Sequence, residues 1–203
     1  MRKYLITISR EFGCNGREIA RSIASDLGIE ILDRDLVDMA AAKAGIHLSN
    51  FWDGDKIVNK EGDIDSLYGA FGYGSEYKFY SQEAVTAQAQ VIRDLANSSG
   101  SKLFFGRCAD YILREFPNLL NIYLYAPLDY RIMHMAEAYN LTMKQSEKLV
   151  KSVDMRRASY YKYVTGQKRG DIKFKHIMLD TSKFSIDEIK KIIRDIVESK
   201  FSN

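Results

Sequence analysis

Ile6-Thr7-Ile8-Ser9-Arg10-Glu11-Phe12-Gly13-Cys14-Asn15-Gly16-Arg17-Glu18-Ile19-Ala20 decides how the rest of the chain is read. Tyr4, Leu5, Ile6 and Ile8 form an apolar, partly β-branched run of buried-strand type. Gly13 and Gly16 punctuate the turn that follows. From Gly16 the apolar period becomes helical, with Ile19, Ala20, Ile23, Ala24 and Leu27 on one face. Gly28 is well placed to stop that helix. Strand, glycine loop and helix in this order suit a bound anion. The loop amides and the positive helix end face it, and glycine lets the backbone come close.

Set against the phosphate-loop pattern G-x-x-x-x-G-K-[ST], the match is incomplete. With Gly16 as the second glycine, Glu11 takes the place of the first, Arg17 that of the lysine and Glu18 that of the hydroxyl residue. Arg17 still offers a cation, with a fork suited to phosphate oxygens. Glu18 is no simple substitute for a hydroxyl ligand of magnesium. The bland alternative is an ordinary turn with a charged helix start.

Further along, Ile29-Glu30-Ile31-Leu32 reads as a short strand, followed by Asp33-Arg34-Asp35 opening a helix. Asp33 is first of all an N-cap. Residues 46–82 break the rhythm, with aromatics from Phe51 to Tyr80 and glycines at 54, 62, 69, 72 and 74. Such a segment can stack on a base or simply pack on itself. Gln82 to Ala96 reads as a helix. Lys102-Leu103-Phe104-Phe105 is a buried strand with Gly106-Arg107 at its carboxyl end, where open α/β sheets bind ligands. Arg107 beside a helix N-terminus is unfavourable unless an anion joins it. Leu119 to Tyr125 is another strand, and the helix after it carries Arg131 and His134. Leu141 to Val164 is a long helical stretch whose Lys144, Lys148 and Lys151 form a solvated face. On its other faces lie Asp154, Arg157 and Tyr161, and beside them Arg156, Tyr160 and Tyr163. Gly166 to Asp171 reads as a flexible basic loop. Phe174 to Leu179 is the last strand, ending in Asp180-Thr181-Ser182. The final helix opens on the capping box Ser185…Glu188.

Taken together, Ser9-Arg10-Glu11-Phe12-Gly13…Gly16-Arg17-Glu18, Leu32-Asp33-Arg34-Asp35-Leu36, Phe105-Gly106-Arg107 with Ala109-Asp110-Tyr111, Tyr125-Ala126-Pro127…Arg131, Asp154…Arg157-Ala158-Ser159-Tyr160-Tyr161 and Leu179-Asp180-Thr181-Ser182 resemble the cytidylate kinase-like family. The resemblance runs over nearly the whole chain and is weakest from about residue 46 to 82. It implies an α/β P-loop sandwich of three layers, with about five parallel strands in the order 2-3-1-4-5. It implies a single domain over residues 1–203, an inserted lobe at about 46–82 that closes over a monophosphate, and a lid at about 141–171. The implied activity is transfer of the terminal phosphoryl of ATP, with Mg2+, to a pyrimidine nucleoside monophosphate such as CMP or dCMP. Gly13, Cys14, Asn15, Gly16, Arg17 and Glu18 would hold the ATP phosphates, and Thr181 and Ser182 would border the adenine. Asp33, Arg34, Arg107 and Asp154 would face the acceptor. Arg17, Arg131, Arg157 and Arg156 would neutralise charge on the moving group. The resemblance assigns no metal ligand.

Composition agrees with one α/β domain: 203 residues and 46% hydrophobic content suffice for a full core. A net charge of +3 is too mild to argue for nucleic acid. No run approaches a membrane span, so the expected location is cytoplasmic and the expected partners are small nucleotides; a homo-oligomer stays open. The two cysteines, Cys14 and Cys108, are too few for a disulfide framework. They read as packing thiols. A sharper alternative is that the helix end lowers the Cys14 pKa and that the pair can bridge. Another kinase on the same fold and a nucleotide-binding regulator without turnover are the rival functions.

Overall fold

The structure, a computed structural model, describes residues 2–33, 39–40, 42–43, 45 and 82–202. Arg34 and nearly all of the 46–82 segment, the expected inserted lobe, lie outside them. The described elements run β1 (Leu5–Arg10), α1 (Gly16–Leu27), β2 (Glu30–Leu32), α2 (Gln82–Asn97), β3 (Lys102–Phe105), α3 (Ala109–Ile112), β4 (Leu119–Tyr125), α4 (Leu128–Tyr139), α5 (Met143–Thr165), a 3-10 turn (Ile172–Phe174), β5 (Ile177–Asp180) and α6 (Ile186–Phe201).

All strand pairs are parallel, in the order β2-β3-β1-β4-β5. β1 is central and buried along its whole length, which explains its unbroken apolar character. Its alternate residues serve two cores. Ile6 and Ile8 pack with α1 and α6 through Ile19, Ile23, Ile189 and Ile193. Leu5 faces the opposite layer with Phe104, Leu119, Ile92 and Tyr160. The result is the expected three-layer sandwich.

Local signals explain the helix ends. Gly28 is left-handed at φ 63°, and its N–H bonds the carbonyls of Ala24 and Ser25. The Ser185–Glu188 capping box is formed. A second capping box, Thr142 with Gln145, starts α5 at Met143. The helix expected from Leu141 to Val164 is found as one helix that begins two residues later. α4 ends at left-handed Asn140, and Thr142 opens the next. Parallel pairing puts the carboxyl ends of β1 and β3 side by side, with Ile8 opposite Phe105. The loops leaving those two ends build the site.

Candidate active site

β1 ends at Arg10, and α1 begins at Gly16. Between them Gly13 and Asn15 are left-handed, at φ 86° and 58°. A Cβ on Gly13 would lie 2.9 Å from the backbone oxygen of Arg131, so the loop rests directly on α4. Asparagine tolerates the left-handed position before the helix. Gly16 is required for a different reason: its Cβ would lie 2.9 Å from Cγ of Arg10. Arg17, in the first turn of α1, pairs with Asp33 at 3.1 Å.

A buried charge network supports the loop from beneath. Arg131 Nε donates to the Ala126 carbonyl at 3.0 Å and lies 3.2 Å from Glu11 Oε2. Its Nη1 donates to the Phe12 carbonyl at 3.0 Å and to Asp154 Oδ2 at 2.6 Å. Asp154 Oδ1 accepts the Phe12 amide at 2.9 Å and the Arg169 guanidinium at 3.2 Å. His134 Nδ1 donates to the Gly13 carbonyl at 2.8 Å, the tautomer that a carbonyl partner requires. Burial raises the Glu11 carboxyl above its ordinary value, while Arg131 pulls it down.

Above the network, Arg10, Arg107, Arg157 and Arg169 line one cleft of about 40 Å³ together with Ser9, Tyr160 and Tyr161. By the measure that gives one water about 10–15 Å³, it has room for a few small atoms. The residues that line it include no carboxylate. Arg10 packs its guanidinium over Phe105, 3.9 Å from the ring centroid, and against Gly106. Gly106, Arg107 and Cys108 are three consecutive left-handed residues, at φ 78°, 58° and 56°. The two non-glycine positions are strained by about 1–2 kcal/mol each. Gln88 Nε2 holds the turn through the Arg107 carbonyl at 3.4 Å and reaches Tyr160 Oη at 3.0 Å.

A model described as the cytidylate kinase-like family matches residues 5–183. The chain belongs to this family. Among solved structures it is similar to an uncharacterized protein from Eubacterium ventriosum, with 21% identity, 98% of this chain and 100% of that one covered, and a TM-score of 0.72. It also resembles a shikimate kinase from Acinetobacter baumannii in complex with shikimate (18%, 98% and 96%, TM-score 0.50). A gluconokinase from Sinorhizobium meliloti matches at 11% identity, with 98% of each chain covered and a TM-score of 0.52. At these identities the likeness shows the fold. No curated protein matches the chain. Family and neighbours together support a phosphotransferase acting on a nucleotide or another small molecule.

In this cytidylate kinase-like chain the expected residues divide into two sets. Arg107 and Arg157 meet in the cleft with the loop beside them. Both are buried, at 6% and 7% exposure. Arg156 is half-buried on the neighbouring face of α5. Arg131 and Asp154, expected at the moving phosphoryl group and the acceptor, hold the shape of the loop from beneath through the Phe12 backbone. At the far end, Thr181 donates its N–H to the Tyr125 carbonyl at 2.8 Å. Ser182 bonds Asp180 Oδ1 through its N–H and its hydroxyl, at 3.0 and 2.7 Å.

The packing reading of the two cysteines holds against its sharper alternative, and the expectation for one loop is corrected. Cys14 sits in the α1–α6 core, where burial pushes its thiol up to about 11, so the helix end does not make it a ready thiolate. Cys108 lies in the core on the opposite face of the sheet, its thiol also raised by burial. Both cysteines are free. The Gly166–Asp171 loop, expected to be flexible, is packed. Arg169 is tied to Asp154, and a Cβ on Gly170 would lie 3.0 Å from the Tyr123 hydroxyl.

Sequence reasoning gave Arg10 and Arg169 no role. Arg10 stands at the carboxyl end of a central strand, a position that favours ligand contact. Arg169 carried no comparable signal. Among the described residues no helix is long and apolar enough to cross a membrane.

Proposed function

We propose that the chain transfers the terminal phosphoryl group of ATP to a pyrimidine nucleoside monophosphate, with CMP or dCMP as the first candidates. The observation that carries this is the convergence of Arg10, Arg107, Arg157 and Arg169 on one cleft beside the β1–α1 loop. Asp154 already pairs with Arg169, and the residues that line the cleft add no other carboxylate. Arginine forks suit the oxygens of a phosphate. The strained turn at Arg107 and Cys108 supports the same reading, because strain of this kind clusters at ligand sites.

The loop fits the phosphates of ATP. Its left-handed residues Gly13 and Asn15 open onto the N-terminus of a 12-residue helix, and Arg17 adds charge. Cys14 and Glu18 flank these groups in the chain. Asp33, paired with Arg17, and Arg34 would border the acceptor, and Thr181 and Ser182 the adenine. Residues 46–82 would close over the monophosphate, and α5 with the loop to residue 171 would form the lid. The described residues hold no group of three or more His, Cys, Asp or Glu that fits a metal. Mg2+ would come with the nucleotide and would supply charge neutralisation for its phosphates. Arg157, 5.3 Å from the Phe12 ring, and Arg156 would help to stabilise the transferring charge.

A coupled ADP-release assay with magnesium-ATP against all common monophosphates, shikimate and gluconate tests this. CMP or dCMP should be preferred. Turnover with a non-nucleotide acceptor only would overturn the substrate. Nucleotide binding without ADP formation would favour a regulator, a reading encouraged by Glu18 at the hydroxyl position of the loop.

A further inference from the structure

The buried face of α2 is made of Ala84, Gln88, Val91, Ile92 and Ala96. Gln88 is the polar member of that set, at 3% exposure. A buried amide is costly unless it is hydrogen-bonded, so an apolar side chain would pack this face more cheaply. Gln88 Nε2 reaches two acceptors on two different elements. One is the Arg107 carbonyl after β3, at 3.4 Å, and the other is the Tyr160 hydroxyl on α5, at 3.0 Å. A carbonyl only accepts, so the nitrogen edge of the amide faces the turn, and the Tyr160 oxygen accepts from the same nitrogen.

The turn shows what that amide does. The Gly106 carbonyl accepts the Ala109 amide at 3.1 Å, and the Cys108 carbonyl accepts those of Tyr111 and Ile112 at 3.0 Å each. Between them, the Arg107 carbonyl accepts from the Gln88 side chain. Arg107 is left-handed at φ 58°, a conformation that persists in a non-glycine residue only where its surroundings hold it. Relaxing that backbone would re-aim its Cα–Cβ bond, and with it the guanidinium. Arg107 and Tyr160 both line the arginine cleft, whereas Gln88 is not among its lining residues. One amide behind the cleft thus bears on two of its walls. We infer that Gln88 is a positioning residue for an oxyanion in this cleft, holding Arg107 in its left-handed conformation and setting Tyr160 beside it. The inference rests on reading the cleft as an anion site, and it names a residue outside the cleft on which the affinity depends.

The test is an NMR titration of the full chain with inorganic phosphate, followed through the backbone amides of Gly106, Arg107 and Arg157. The wild type should show saturable shifts there. Gln88→Met keeps the bulk and the helix but loses both hydrogen bonds. It should bind phosphate about three- to tenfold more weakly, the factor that a net hydrogen bond supplies. ATP affinity, read by calorimetry, should stay at the wild-type level, because the β1–α1 loop keeps its own supports. Tyr160→Phe removes the hydroxyl alone and should weaken phosphate in the same direction. The double variant should lose no more than Gln88→Met by itself, since the two residues act through one contact. Should Gln88→Met fail to fold, Tyr160→Phe decides, and unchanged phosphate affinity in it would sink the inference. Wild-type phosphate affinity in Gln88→Met, an equal loss for ATP and phosphate, or additive losses in the double variant would each overturn it. A wild type without saturable shifts would overturn the anion reading of the cleft and the inference with it. A wild type that binds phosphate but not ATP would overturn the kinase reading alone, and the phosphate series then decides for Gln88.

Discussion

Asp154 accepts the backbone amide of Phe12 at 2.9 Å across 142 residues of sequence. One carboxylate on α5 thus fixes the loop expected to hold ATP, and through Arg131 and Arg169 it also holds α4 and the segment after α5. Asp154→Asn keeps the shape but removes the counter-charge of two arginines. Hydrogen bonds to charged groups contribute about 1.5–3 kcal/mol, so a loss of about that size is expected in urea unfolding. Calorimetry should show weaker ATP binding in the same variant. Stability and affinity both at wild-type level would mean that the loop stands without this clasp.

Arg17→Ala should weaken ATP binding by more than tenfold, that is by more than about 1.4 kcal/mol. Its partner Asp33 sits at 3.1 Å, with the Arg17 side chain 35% exposed, so little stability should be lost. Calorimetry with ATP reads this directly. Unchanged affinity would remove Arg17 from the nucleotide site.

Arg157→Ala should lower kcat by about 10³-fold or more, the range seen for arginines that stabilise a transferring phosphoryl group. Arg157 is 7% exposed, so the Tm of the variant should be measured beside its kcat. Inorganic phosphate should raise the Tm of the wild type, by linkage to an occupied anion site, and should raise that of Arg107→Ala much less. Normal turnover in Arg157→Ala would make this arginine a packing residue.

The cysteines give a pH signature. Burial raises Cys14 from 9.0 to about 11. The folded state then keeps a proton that the unfolded state has released. Its contribution is full below about pH 9 and is lost as pH rises to about 11, at up to about 1.4 kcal/mol per pH unit. Tyr123, raised by burial to about 12, extends the loss upward. Urea unfolding across this range should show a shallower decline in Cys14→Ala than in the wild type. Diamide should leave wild-type activity intact, since Cys14 and Cys108 lie in cores on opposite faces of the sheet.

The helix stop at Gly28 and the capping box at Ser185 were legible because each rests on local chemistry, whereas the strand order came with the family resemblance. The box at Thr142 was equally local, with glutamine in place of glutamate, and it divides α4 from α5. The charge network was not legible. Whether Arg131 meets a ligand or a carboxylate depends on Glu11 and Asp154 arriving from opposite sides, which no spacing records. Gly170 misled for a related reason. A glycine that permits close approach to Tyr123 carries the same letter as one that permits bending.

Arg10 lies between Gly16 and Gly106, its stem against one and its guanidinium against the other. The three positions are therefore coupled sterically and tolerate change only as a set. A side chain at either glycine evicts the arginine, and a shorter residue at position 10 leaves both loops without the strut that spaces them. A library that randomises one of the three should return almost nothing but the parent, whereas randomising all three together should uncover alternative solutions. Such a screen would separate sequences that keep the distance between the two loops from those that merely keep the letters.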